Sequence, residues 1–206
     1  MMATDMSGLS YLQLDALREI GTIGAGHAAT ALSQLLHTRV NMLVPRVSAV
    51  PLHEVPYLVG GPETPVVGVF LKLFGDVPGN VLFLLPKDSS ETLVDLVTGQ
   101  PVGTTRNIDD EFEQSVIKEI VNILTSAHLN ALTMMLKLVM LPSVPALAQD
   151  MAGALLNAVL AEFGEAADCA IVVETKFSLP FRDIIGYFFL IPHPDALATM
   201  MQALGV

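Results

Sequence analysis

The chain repeats itself. The segment LREIGTIGAGHAATALS, Leu17 to Ser33, returns as IKEIVNILTSAHLNALT, Ile117 to Thr133, one hundred residues further on. A repeat of this length restricts the folds open to the chain, because each copy must form the same unit and the units must bury what each leaves uncovered. In the first copy Leu14, Leu17, Ile20, Gly24, Ala28, Ala31 and Leu35 recur at steps of three and four, the pattern of a helix with one core-facing side. Ser10 with Gln13 forms a capping box that would start it.

After this helix the period changes. VNMLVPRVSAVPL, VVGVFLKLF and NVLFLLP are rich in Val, Leu and Phe and bounded by Gly, Pro or Asp, which reads as three strands. GDVPGN between the second and third has hairpin composition. Asp88 or Ser89 is then expected to cap a short helix, SETLVDLVTG, closed by Gly99. The second half follows the same plan. Asn107 or Asp109 would cap a long helix running to about Lys137, and Pro142-Ser-Val144 echoes Pro45-Arg-Val47. CAIVVETKFSL and IIGYFFLIP read as strands and PDALATMMQALG as a closing helix. Val81 to Pro86 aligns with Tyr187 to Pro192, and Gly99 with Gly205 at the same offset. Where the first half has the loop HEVPYLVGGPETP, the second has an amphipathic stretch, roughly Leu147 to Phe163, expected to be a helix that covers the sheet.

Two helix-plus-hairpin units that each leave a sheet edge open can pair edge to edge. The expected fold is therefore α/β (α+β). It is a single pseudo-two-fold domain over residues 10–206, with two long surface helices packed on a continuous, mainly antiparallel sheet. Its two repeats run from about 10 to 100 and from 107 to 206. With 52% hydrophobic and 15% charged residues the chain can fill such a core. Its apolar runs are broken well before the roughly 20 residues needed to span a bilayer, and the N-terminus lacks a signal-peptide pattern, so no membrane insertion is expected. Cys169 is the single cysteine, which fits a reducing, cytoplasmic setting. A net charge of −11 repels phosphate backbones and argues against nucleic-acid binding.

Away from the apolar side, Asp15, Glu19, Thr22 and Gly26 follow at steps of four, three and four, forming a stripe. The matching stripe on the second helix is Ser115, Glu119, Asn122 and Ser126. Both stripes also fit plain solvated helix surface, and duplication alone would carry such residues into both copies. Gly21, Gly24 and Gly26 sit in mid-helix, where each costs on the order of 1 kcal/mol against alanine. A phosphate-binding loop would follow a strand and open a helix, which these do not, so close backbone packing is the expected reason. The five histidines form no metal-binding pair at helical spacing, and no elbow surrounds Ser126 near His128. Cys169 reads as a small buried hydrophobe, and the aromatics of YFFLIP as core. The acidic run DDEFE favours a helix N-terminus.

With these residues in place, the chain resembles the CheC family of response-regulator phosphatases, relatives of CheX and of the middle domain of FliY. The family signature is Asp or Ser, three residues, Glu, two residues, Asn, carried twice. Ser115, Glu119 and Asn122 match it in full and are followed by LNAL; Asp15, Glu19 and Thr22 depart at the last position. His27 stands where the family usually has another Asn. The resemblance spans about residue 10 to 206.

The resemblance implies a substrate, the aspartyl phosphate of a CheY-like response regulator, which brings its own Mg²⁺ and lysine; no cofactor is expected on this chain. An acyl phosphate already reacts with water, so the helper must chiefly hold that water in line with phosphorus. By resemblance Asn122 would do so, since an amide both accepts from water and donates to a phosphoryl oxygen without titrating. Glu119 would pair with the regulator's lysine, and Ser115 would support docking. Thr22 is shorter, β-branched and lacks a second donor, so the first site, with Asp15 and Glu19, is expected to be degenerate. The amphipathic stretch is a candidate surface for CheD, a partner of the family. Two alternatives remain: a non-enzymatic adaptor binding CheD or a regulator, and a flagellar-switch component, against which stands a chain ending at Val206 without the extra FliY module.

Overall fold

The computed structural model describes residues 9–163, 169–179 and 182–205. Helix α1 (Tyr11–Leu35) begins at the expected capping box: Gln13 N–H donates to Ser10 Oγ at 3.3 Å and Ser10 N–H to Gln13 Oε1 at 2.8 Å. Strands β1 (Asn41–Pro51), β2 (Pro65–Gly75) and β3 (Gly79–Pro86) follow as the apolar runs indicate. Helix α3 (Lys87–Thr98) ends on Gly99 at φ 68°, in the left-handed region that glycine enters without a Cβ clash. In the second half come α4 (Glu111–Leu136), β4 (Met140–Pro142), β5 (Ala146–Met151), α5 (Ala152–Phe163), β6 (Cys169–Leu179), β7 (Arg182–Pro192) and α6 (Pro194–Leu204). Gly205 repeats the φ of 68° found at Gly99. Among the described residues no helix is long and apolar enough to cross a membrane.

Four expectations need correction. The cap of α3 is Pro86, not Asp88 or Ser89. No side chain caps this helix, and Lys87 Nζ instead bonds Glu91 and the Arg106 carbonyl. The cap of α4 is Asp110, not Asn107 or Asp109, and its carboxylate accepts from the Glu113 N–H at 2.8 Å. Residues 147–151 are strand, not helix. They lie in β5, whose residues 146–151 pair with β2, so the helix starts at Ala152. The expected loop after β1 holds a 3-10 turn (Leu52–Glu54) and the short helix α2 (Val55–Leu58). Cys169 opens β6, but its side chain lies outside the described residues.

All strand pairs are antiparallel, in the order β1-β6-β7-β3-β2-β4, with β5 also on β2. The hairpins β2-β3 and β6-β7 meet edge to edge at β3 and β7. There Leu82 faces Phe189 and Phe83 faces Phe188, while the sequence offset equates Leu82 with Phe188 and Phe83 with Phe189. A two-fold axis relating the halves passes between these two pairs. Each half's first strand crosses over: β1 pairs with β6 of the second half, and β4 and β5 pair with β2 of the first. Pro45 falls where the β1 register shifts between Leu43 and Arg46, and Pro142 ends β4, because proline cannot donate to the ladder.

Helices cover both faces of the sheet. Val81, Phe83 and Leu85 of β3 point into a core shared with α1, α3, α4 and α6. Leu82 and Leu84 point the other way, against α2 and α5. Burial on both faces explains the uninterrupted apolar run of β3. The linker between the halves is tied down by Asp95 of α3, whose buried carboxylate accepts from the N–H groups of Gly103, Thr104 and Thr105 at 2.7, 3.1 and 2.8 Å. Burial pushes this carboxyl's pKa up, but the hydrogen bonds from Thr105, Gly103 and Thr104 outweigh it and hold the group below its ordinary value.

Candidate functional site

The two long helices pack against each other, and the contact depends on small side chains. A Cβ on Gly24 would stand 3.0 Å from His128 Cα and 3.3 Å from the Ala127 carbonyl oxygen. Ala25 and Ala28 of α1 and Ala127 and Ala131 of α4 are buried as well. Close packing therefore accounts for Gly24. It does not account for Gly26, where an added Cβ would meet nothing within 4 Å, and at Gly21 it would make only ordinary contacts with Val173 and Val44.

This packing turns the apolar sides of both helices inward and leaves their polar stripes outward. Asp15, Glu19, Thr22 and Gly26 are exposed on α1; Ser115, Glu119 and Asn122 are exposed on α4, with Ser126 half-buried. The two stripes differ in how their polar groups are engaged. Thr22 Oγ1 donates to the Arg18 carbonyl at 2.8 Å, and Ser115 Oγ donates to the Phe112 carbonyl at 2.6 Å. Neither Glu119 nor Asn122 hydrogen-bonds through its side chain to another described residue, so a carboxylate and an intact amide stand three residues apart on one helix face. The first turn of α4 carries Glu111 and Glu113 beside the Asp110 cap, as the macrodipole favours.

Beneath the stripes lies His128, 2% exposed and stacked on Phe188 at a centroid distance of 5.0 Å. Its Nδ1 is 2.8 Å from the Leu124 carbonyl. A carbonyl only accepts, so Nδ1 carries the hydrogen and Nε2 keeps a lone pair, which finds no hydrogen-bond partner among the described residues. Burial lowers the pKa of this imidazole, with the Leu124 bond opposing, and the ring is neutral. Among the described residues no cluster of three His, Cys, Asp or Glu side chains could hold a metal.

Sequence reasoning passed over Phe112. It stands three residues before Ser115, at the head of the same stripe, and is 63% exposed. Helical spacing places it on the stripe, but in the run DDEFE the four charges dominate the pattern.

The architecture is that of the X-ray structure of FliY from Thermotoga maritima, which superposes with a TM-score of 0.77 at 20% identity over 96% of this chain and 98% of that one. The fold is thus the one that structure displays. The CheC-like family profile matches residues 12–49. The CheY-P phosphatase CheC of Bacillus subtilis (strain 168) is 33% identical over 202 residues, 97% of each chain. The flagellar motor switch phosphatase FliY of the same organism is 29% identical over 121 residues, 57% of this chain and 30% of that protein. The chain belongs to the CheC-like family.

Proposed function

We propose that this protein hydrolyses the acyl phosphate of a CheY-like response regulator, working through Glu119 and Asn122. The observation that carries the reading is the pair itself, exposed and unengaged on one face of α4. The B. subtilis relative, matched end to end, is a CheY-P phosphatase, which supplies the substrate class.

In this reading α4 enters the regulator's phosphorylation cleft. Glu119 docks against a cationic side chain there, and Ser115 lies one turn outside, with its hydroxyl already committed to the Phe112 carbonyl. The Asn122 carbonyl accepts a hydrogen bond from water and turns the oxygen toward phosphorus, while its NH₂ donates to a phosphoryl oxygen. Water attacks, the bond from phosphorus to the aspartyl oxygen breaks, and the regulator's carboxylate leaves as inorganic phosphate forms. The regulator would bring its own magnesium to neutralise phosphoryl charge, and the reading assigns no metal-binding role to this chain. Because the amide does not titrate, catalysis gains from positioning and not from proton transfer. On α1 the Thr22 hydroxyl gives its hydrogen to Arg18, and the first site lacks the second donor. We also read residues 10–206 as one domain of two repeats, about 10–100 and 107–206. The exchange of first strands between the halves supports this.

The test is release of phosphate from B. subtilis CheY phosphorylated with acetyl phosphate, and from CheY-like regulators of the same genome. The wild-type chain is expected to accelerate it, and Asn122→Ala to lose about 100- to 1,000-fold of the acceleration. Retention of activity in Asn122→Ala with loss in Thr22→Ala would overturn the assignment. Binding without turnover in the wild type would favour the adaptor reading, in which a regulator or CheD is a binding partner only.

A further inference from the structure

We infer that Phe112 is the docking anchor through which α4 recognises an apolar patch on the rim of the regulator's phosphate cleft. This rests on the function proposed above and adds a recognition residue to it. At about 100° per residue, Phe112, Ser115, Glu119, Asn122 and Ser126 fall within roughly an 80° arc of one helix, so the phenyl ring continues the polar stripe. It precedes Asn122 by ten residues, about 15 Å along the axis. A side chain that far from the water-positioning amide lies outside the cleft and against its edge. The ring belongs to neither buried core and makes no ring contact with another described residue. At 63% exposure this phenyl group, in a first turn otherwise made of Asp110, Glu111 and Glu113, buries little of its surface on folding. On docking it would remove a large apolar surface from water, as aromatic anchors at interfaces do. The other helix repeats the arrangement: Leu12, one hundred residues earlier, is 50% exposed three residues before Asp15. Large apolar groups thus head both stripes, the larger one on the helix that carries the intact Glu and Asn.

The expected signature is a split between binding and turnover. With acetyl-phosphate-charged B. subtilis CheY as substrate, Phe112→Ala should raise KM about tenfold and leave kcat within about twofold, whereas Asn122→Ala lowers kcat. Phe112→Leu should recover most of the loss. Tyr57→Ala removes an aromatic that is 69% exposed on α2, across the sheet, and should change nothing. Thermal melting should be unaltered in Phe112→Ala. Direct binding of the charged CheY to Asn122→Ala, with and without Phe112→Ala, measures docking apart from hydrolysis. If Phe112→Ala changes neither KM nor this binding, the anchor is overturned while the phosphatase reading stands. If the wild type hydrolyses nothing yet binding still depends on Phe112, the phosphatase reading falls and the anchor stands. Loss of both activity and binding sensitivity removes both.

Discussion

At Thr22 the hydroxyl hydrogen is directed back to the Arg18 carbonyl, 2.8 Å away, whereas the amide of Asn122 keeps donor and acceptor facing solvent. The same contrast runs through the interior. Where α1 has Gly24 and Ala28, α4 has Leu124 and His128 at the matching positions, all buried. At these two positions α1 contributes small residues and α4 contributes bulk. Two copies of a helix can thus hold equivalent places against a sheet while differing in what they offer a partner. The scaffold requires only that each inner face fill its half of the core, which leaves the outer positions free to diverge.

The comparison is best broken at its outer faces. In the Asn122→Ala background, where about 100- to 1,000-fold of the rate acceleration is expected to be gone, Thr22→Asn should restore part of it, because it supplies the missing donor on α1. A phosphate-release assay showing no recovery would mean that the helices differ in access to the regulator and not merely in one side chain. Inside the molecule, His128 should make stability pH-dependent in a way that Ala28 cannot. Its folded pKa lies below the ordinary 6.5, so below about pH 6.5 the unfolded chain takes up a proton that the native ring refuses. Stability should fall by up to about 1.4 kcal/mol per pH unit until the folded pKa is reached. Urea unfolding of wild type and His128→Leu between pH 5 and 7 checks this, and equal slopes would refute it.

Smaller effects separate the glycines. Gly24→Ala gains about 1 kcal/mol of helix propensity but forces the helices apart at about 1–3 kcal/mol, for a net loss near 1 kcal/mol. Gly26→Ala, facing open space, should stabilise by about 0.5–1 kcal/mol. Melting temperatures moving in the same direction for both would show that the contact at His128 is not the constraint. If Gly26→Ala instead weakens docking, the helix surface at that point needs a bare backbone.

Much of this was legible because the signals are local. The capping box at Ser10 and the left-handed glycines Gly99 and Gly205 are short-range steric and hydrogen-bond requirements, and the structure meets them. The stripes were legible for the same reason, through helical spacing, and the structure leaves all six signature positions, Asp15, Glu19, Thr22, Ser115, Glu119 and Asn122, exposed. What failed depended on distant partners. Residues 147–151 have no strong strand preference and become strand because β2 offers an unpaired edge. The acidic run before α4 offers several carboxylates, and the choice of Asp110 accompanies the burial of Ile108, which seats the incoming chain. The crossing of β1 to the other half could not be read at all, because an open edge does not name its partner.

That crossing has a consequence for how the protein is made. During synthesis β1 leaves the ribosome more than a hundred residues ahead of β6, the strand it pairs with. At about 5–20 residues per second the nascent strand waits on the order of ten seconds with both edges unsatisfied. The register shift at Pro45 and the charge of Arg46 sit in the middle of that strand. They are the features that deter a waiting edge from joining the wrong neighbour, so they guard the molecule before it has a fold to stabilise.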